Sequence, residues 1–393
     1  MLDTNTEIAT AGRLALENHH GDLTNLMTLV SEHEARKIDF ITPSESLTFD
    51  TLNGVTVVHA ELAGQKTASN RCNDVSFAQV SAKAGIDVRT AKRFQEYYPD
   101  VLDNALNRIY RNETRNVMLR VFEQDSHQGI LRAYLSDAFK RFDNVDMLSS
   151  VLPALMESDA DWKIVNASIT DSAMTLRFKS DVITGLGAAV GDLMALGVTF
   201  SNSETGHGSA ILAMLIWTLY CLNGMQTQKK QRHAHLTSSQ ADSDVWSVLT
   251  TEAKDADNAA LKMKLRDVTT NYSSREAFEE VLQNFRNAAS DTLKDGTTPQ
   301  AAVDAVGRVL QLTKKETSSV LNGLFTTLQQ PGYAGQPVSR ATLVNAVTSV
   351  ASDKRLRADE VQADDMGEWE KRGGRLLALP RNQWTSIATA IAA

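Results

Sequence analysis

The sequence predicts an α+β protein: a central, mainly antiparallel sheet with packed helices, followed by a mostly helical C-terminal region. Between Asn116 and Cys221, apolar residues alternate with polar ones or run on continuously between turn signals, as strands do. Asn53-Gly54 separates two short β-branched runs, a hairpin signature. Beyond Ser238, apolar residues recur at helical spacing. Three units follow: a mixed helical and hairpin segment over 1–115, a sheet-containing core over 116–238, and a helical region over 239–393.

Taken in order, Gly21 to Arg36 reads as a helix, with Leu23, Leu26, Met27 and Val30 on one face. Ser46–Phe49 and Val55–Val58 are the hairpin strands. Ser76 to Pro99 has the make-up of a helix-turn-helix. Phe77, Val80 and Ala84 suit a first helix, Gly85-Ile86 a turn, and Arg89 to Arg93 an exposed second helix. Two ordinary packed helices joined at a glycine fit the same residues and are preferred, with Phe94, Tyr97 and Tyr98 expected in the core.

Strands are expected at Val117–Phe122 and Ile130–Leu135, around His127-Gln128-Gly129, and a helix at Asp146–Met156. Trp162–Ile169 and Met174–Phe178 form a hairpin across Thr170-Asp171-Ser172, and Met174, Leu176 and Phe178 alternate with polar neighbours. Leu193–Ser201 and Ser209–Cys221 extend the sheet, although the longer run equally fits a buried helix. Helices are expected at Asp242–Asp267, Ser274–Leu293, Pro299–Leu312, Lys314–Gln329 and Ser339–Ser352, with Thr298-Pro299 and Ser274 as starts.

Composition narrows the function classes. A net charge of -8 over 393 residues argues against coating duplex DNA by bulk charge. A local basic surface remains compatible, because salt screens surface charges beyond about 8 Å. No apolar run reaches membrane-spanning length, and Met1-Leu2-Asp3-Thr4 does not open a secretory signal. Two cysteines, Cys72 and Cys221, make neither a disulfide framework nor a zinc pair. A cytosol is the expected compartment, without a membrane partner.

No catalytic, cofactor-binding or metal-ligating residue is expected. His233 and His235, or His19-His20, lack the partners of a zinc motif. Gly185, Gly187 and Gly191 have the wrong spacing for a dinucleotide fingerprint and are expected to serve turns. Glu204, beside Asn202 and His207, is a conceivable acid/base group, with loop stabilisation preferred. Asp364, Asp365, Glu368 and Glu370 read as solvated helix faces. Asp143-Asn144 and Ser136-Asp137 read as caps of helix and strand ends.

Three blocks carry a family resemblance: Leu131-Arg132-Ala133-Tyr134-Leu135-Ser136-Asp137-Ala138-Phe139-Lys140-Arg141-Phe142-Asp143-Asn144, Phe200-Ser201-Asn202-Ser203-Glu204-Thr205-Gly206, and Cys221-Leu222-Asn223-Gly224-Met225, followed by Arg232-His233. Together they resemble the phage/plasmid-like protein family catalogued as domain of unknown function 932. Phe139 stands where that pattern has tyrosine, and Leu222 where threonine is common. The resemblance covers roughly Asp74 to Ser238. It implies a phage, prophage or plasmid origin and a place near replication and recombination.

The function expected from these residues is binding of single-stranded DNA or RNA, with possible strand annealing, by a homo-oligomer. Lys140, Arg141, Lys229, Lys230 and Arg232 would hold phosphates, and Tyr134 and Phe142 would stack on bases. Arg132, Asn144, Asn202, Asn223 and His233 would complete a polar groove. The alternative is a protein-interaction module acting on a host defence or replication factor.

Overall fold

The computed structural model describes residues 23–60, 68–125, 128–187, 193–218, 223–233, 249–294, 296–330, 332–352 and 366–391. The first described element is helix α1 (Leu23–Arg36), whose Leu26 and Val30, one turn apart, are buried. Six strands then form the first sheet: β1 (Lys37–Pro43), β2 (Leu47–Leu52), β3 (Val55–Ala60), β4 (Ala68–Cys72), β5 (Asn116–Asp125) and β6 (Gln128–Ser136). Their spatial order is β1-β5-β6-β4-β3-β2, antiparallel except for the β4–β6 pair. Asn53 and Gly54 both take positive φ, 52° and 75°, as a two-residue hairpin turn requires. The boundary expected between 115 and 116 cuts through this sheet, because β5 and β6 pair with β1 and β4 from its other side.

Helices α2 (Asp74–Lys83), α3 (Val88–Tyr97) and α4 (Pro99–Arg111) connect β4 to β5 and cover one face of this sheet. Phe49, Val58, Phe77, Leu102, Leu106 and Tyr110 form the core between them. The edge strand β2 is capped by α4. Asn107 accepts from the Phe49 amide at 2.9 Å and donates to its carbonyl at 2.8 Å, while Asp103 accepts from the Thr51 amide. Side chains thus satisfy an edge that would otherwise invite another strand.

After α5 (Asn144–Met156), the second sheet is an antiparallel meander of β7 (Trp162–Ile169), β8 (Met174–Leu186), β9 (Leu193–Asn202), β10 (Ala210–Thr218) and β11 (Asn223–His233). The long apolar run is the strand β10. Both its faces are covered, so the alternation is between two buried sets: Leu212, Met214 and Ile216 on one side, Leu215 and Trp217 on the other. Gly185 serves close packing rather than a turn. It lies inside β8, where a Cβ would stand 2.5 Å from Leu282.

The C-terminal region is helical: α6 (Thr251–Tyr272), α7 (Arg275–Ser290), α8 (Pro299–Leu310), α9 (Lys314–Leu328), α10 (Arg340–Ser352), α11 (Met366–Leu377) and α12 (Arg381–Ile391). Thr250, Ser274, Thr298 and Thr313 each accept from the amide three residues on, the capping that sets these helix starts. Residues 242–248, expected to open the first of these helices, lie outside the described residues, as do Asp364 and Asp365. Glu370 is not a solvated residue. It is buried in α11, 3.0 Å from Arg177 of β8, and burial lifts its carboxyl to about 7 against the pull of that arginine. Among the described residues, no helix is long and apolar enough to cross a membrane.

Candidate functional site

The motif residues meet where the two sheets meet. Period-two alternation places Lys37 and Asp39 of β1 on the sheet face opposite α2–α4, and antiparallel pairing sets Arg120 across from Asp39. In β6 the register shifts between Arg120↔Ala133 and Val121↔Leu131, which leaves Arg132 as the extra residue of a bulge. Such a bulge re-aims a side chain. All three cations converge on the turn after β9.

Glu204 is the centre of this junction. One of its carboxylate oxygens accepts from Lys37 Nζ at 2.6 Å and from the Asn144 amide, the first of α5, at 2.7 Å. The other accepts from Arg132 Nη1 at 2.7 Å. Arg120 donates to the Glu204 carbonyl, to Asp39 and, at 2.7 Å, to Asp143. Asn202 donates to the Phe142 carbonyl at 2.9 Å and to Asn144 at 3.1 Å. Burial alone would raise the Glu204 carboxyl. The charges of Lys37, Arg132 and Arg120 and the Asn144 amide overcome it and hold the group at about 2. Glu204 is therefore ionised at neutral pH, and a general-acid role for it finds no support in its surroundings. His33, packed on Phe122 beside these cations, is lowered to about 4, chiefly by burial, and stays neutral.

Carboxylate oxygens of Glu34, Asp143 and Glu204 lie within 4.8 Å of one another, the spacing of a cation site. The Lys37 ammonium stands among them, 2.7 Å from Glu34 and 3.6 Å from Asp143. It supplies the positive charge that a metal would bring, and Asp143, Glu204 and Glu34 raise its own pKa against the cost of burial.

This convergence does not make a phosphate trough. Arg132 is buried and neutralised by Glu204, with its guanidinium 4.1 Å from the Phe122 ring centre. Tyr134 and Phe142, the expected stacking platforms, are fully buried and offer no ring face to a base. Asn144 and Asn202 are buried in the junction as well. Arg141 is exposed, but the cleft of about 570 Å³ that it lines is acidic: Glu34, Asp39, Asp143, Asp146 and Asp255 outnumber Lys37, Arg141 and Lys262. Lys140 lies 3.8 Å from Asp257.

Lys229, Lys230, Arg232, His233 and Asn223 stand on β11, and at these positions the side chains lie outside the described residues. The backbone register still locates them. Arg232 pairs with Ile211, which pairs with Ser201, so it is two strands from the junction. Asn223 pairs with Thr218 at the opposite end of the strand, seven residues of β10 from Ile211 or about 23 Å at roughly 3.3 Å per residue, and takes no part in the convergence. His19, His20, Cys221 and His235 lie outside the described residues. His207 is exposed in the turn that follows Glu204.

A second surface departs further from expectation. The segment over Asp74–Tyr97 folds as two ten-residue helices joined by Ala84, Gly85, Ile86 and Asp87. Asn73 caps the first through the Ser76 amide, and Asp87 caps the second through the Arg89 and Thr90 amides. Gly85 has φ +72°, and a Cβ there would meet nothing within 4 Å, so backbone conformation and not space selects glycine. The second helix, α3, fully buries only Ala91. Arg89, Thr90, Lys92, Arg93 and Glu96 face solvent. Tyr97 and Tyr98, expected in the core, are 63% and 48% exposed, and Phe94 alone of the three packs against the core. The first helix is tied to the junction through Gln79, which accepts from the Tyr134 amide and donates to the Thr205 carbonyl at 2.6 Å.

Lys37, Asp39 and Arg120 escaped the sequence reading. The signal for Arg120 was there: a lone charge inside Val117-Met118-Leu119-Arg120-Val121-Phe122 that must find partners if the strand is buried. No family model, curated protein or solved structure matches this chain.

Proposed function

We propose that this chain is a nucleic-acid-binding protein of a mobile genetic element, and that its contact surface is the exposed face of α3, set into the major groove of duplex DNA. One observation carries the proposal: a helix, a four-residue turn with glycine at positive φ, and a second helix that keeps only Ala91 inside and turns Arg89, Thr90, Lys92 and Arg93 outward. A helix of roughly 10–12 Å diameter fits a groove about 12 Å wide. Arg89 and Arg93 are the cations that carry this face, since Lys92 is paired with Asp74 at 3.0 Å, while Asp87 caps the same helix and Glu96 lies on it. The family resemblance supports the setting, replication or recombination of a phage or plasmid. Single-strand binding has less support, because the rings expected to stack are buried.

The exposed corner of Tyr97, Tyr98 and Val101 favours a second reading, a host or phage protein docked at the same place. Fluorescence anisotropy with labelled duplex and single-stranded oligonucleotides separates the two. The expected result is duplex binding that weakens with salt, with a logarithmic slope near -0.9 per phosphate neutralised. Replacing Arg89 and Arg93 together by alanine should cost about tenfold or more in affinity and flatten that slope by about two. No duplex binding at low salt, or binding that the double variant leaves intact, contradicts the proposal.

A further inference from the structure

We infer that a cleft in the C-terminal helical region, between the end of α7, the start of α10 and the turn from α11 to α12, is a binding site for a small phosphate-bearing anion. The site lies outside the α3 surface and does not depend on it. The cleft has a volume of about 520 Å³ and continues past Arg381 into a second space of about 590 Å³. Each is within the size range of small-molecule pockets.

Charge selects the ligand. Two guanidinium groups share one carboxylate: Arg340 Nη2 lies 2.6 Å from Asp291 Oδ2, and Arg381 Nε lies 3.4 Å from Asp291 Oδ1. Lys294 adds a third cation at the rim, and no other charged residue lines either space among the described residues. Three positive charges against one negative leave a formal +2, which a phosphate monoester, close to -2 at neutral pH, balances and a monocarboxylate does not.

The two arginines have different parts. Arg340 is buried, held by Asp291 and by the Leu379 carbonyl, with its Nε unpartnered. It is a fixed positive floor. Arg381, with 82% of its side chain exposed, is anchored to Asp291 at Nε, and its terminal nitrogens extend the fork that suits phosphate oxygens. Asn284 and Asn287, three apart on α7, line the same cleft and offer uncharged donors and acceptors to the body of the ligand.

The test is a thermal-shift titration of the full chain with inorganic phosphate and with ribose 5-phosphate, at ionic strength held constant with sodium chloride and with ribose as the uncharged control. The expected result is a saturable rise in Tm with both phosphates and none with ribose. Arg381→Gln, at an exposed position where folding is not at stake, should weaken the apparent affinity about tenfold or more, and Arg381→Lys should restore part of it. Arg89→Ala in α3 should leave the titration unchanged. A Tm that does not respond to either phosphate, or a response equal in Arg381→Gln, overturns the assignment.

Discussion

At Glu204, a single carboxylate holds two buried cations, Lys37 and Arg132, and a helix N-terminus, so its removal strikes at the centre of the junction. Glu204→Gln keeps the shape and leaves Lys37 and Arg132 buried without their closest counter-charge. We predict a loss of about 3–5 kcal/mol, the usual cost of breaking a buried pair from one side, read as a lower urea midpoint. The pH dependence has a definite sign. The folded carboxyl, at about 2, lies below its unfolded value near 4.3, so its contribution is present above that value and fades as pH falls towards 2. Wild type should therefore lose more stability than Glu204→Gln between pH 5 and 2, and parallel acid limbs would contradict this account. The residues around it were partly legible. Asp143 was readable as a cap, and its amide indeed donates to the Asp146 carboxylate at 3.0 Å. Lys37 and Asp39 were not, because only the pairing of β1 with β5, some 80 residues away in sequence, gives them a shared face with Arg120.

Elements whose signal is local were legible. The Asn53-Gly54 hairpin, the β7–β8 hairpin and the capped helices from Ser274 onward follow from turn and cap chemistry that a few adjacent residues determine. The strand β4, the edge strand β1 and the terminal helix α12 were not, since short, half-exposed or flanking segments take their state from the neighbours they pack on. The helix-turn-helix shows both sides. Its spacing was visible, but whether Arg89 to Arg93 face water depended on how α3 lies on the sheet. The capping of β2 by α4 likewise required the tertiary structure. We predict that Asn107→Ala, which strips the Phe49 amide and carbonyl of their partner, costs about 1–2 kcal/mol in denaturant unfolding. It should also promote self-association through the freed edge, visible as a concentration-dependent shift in sedimentation. Unchanged stability would mean that water replaces the asparagine without penalty.

For the molecule as a whole, only part of the expected set of motif residues comes together, while Arg141 lines the acidic cleft and Asn223 and Arg232 stand on β11. Arg132, Asn144, Asn202 and Glu204 do come together, as a buried ionic joint between two sheets, and charges spent on one another are not offered to phosphate. The same joint reaches α2 through Gln79 and so fixes how α3 is presented. The surface proposed for nucleic acid is the exposed face of α3, on a chain of net charge -8. Hydrogen-exchange mass spectrometry of the full chain, with and without a saturating DNA duplex at low salt, tests this most directly. The account predicts slowed exchange over 85–98, the turn and α3. Protection over 128–144 and 223–233 instead, or no protection anywhere, would contradict it.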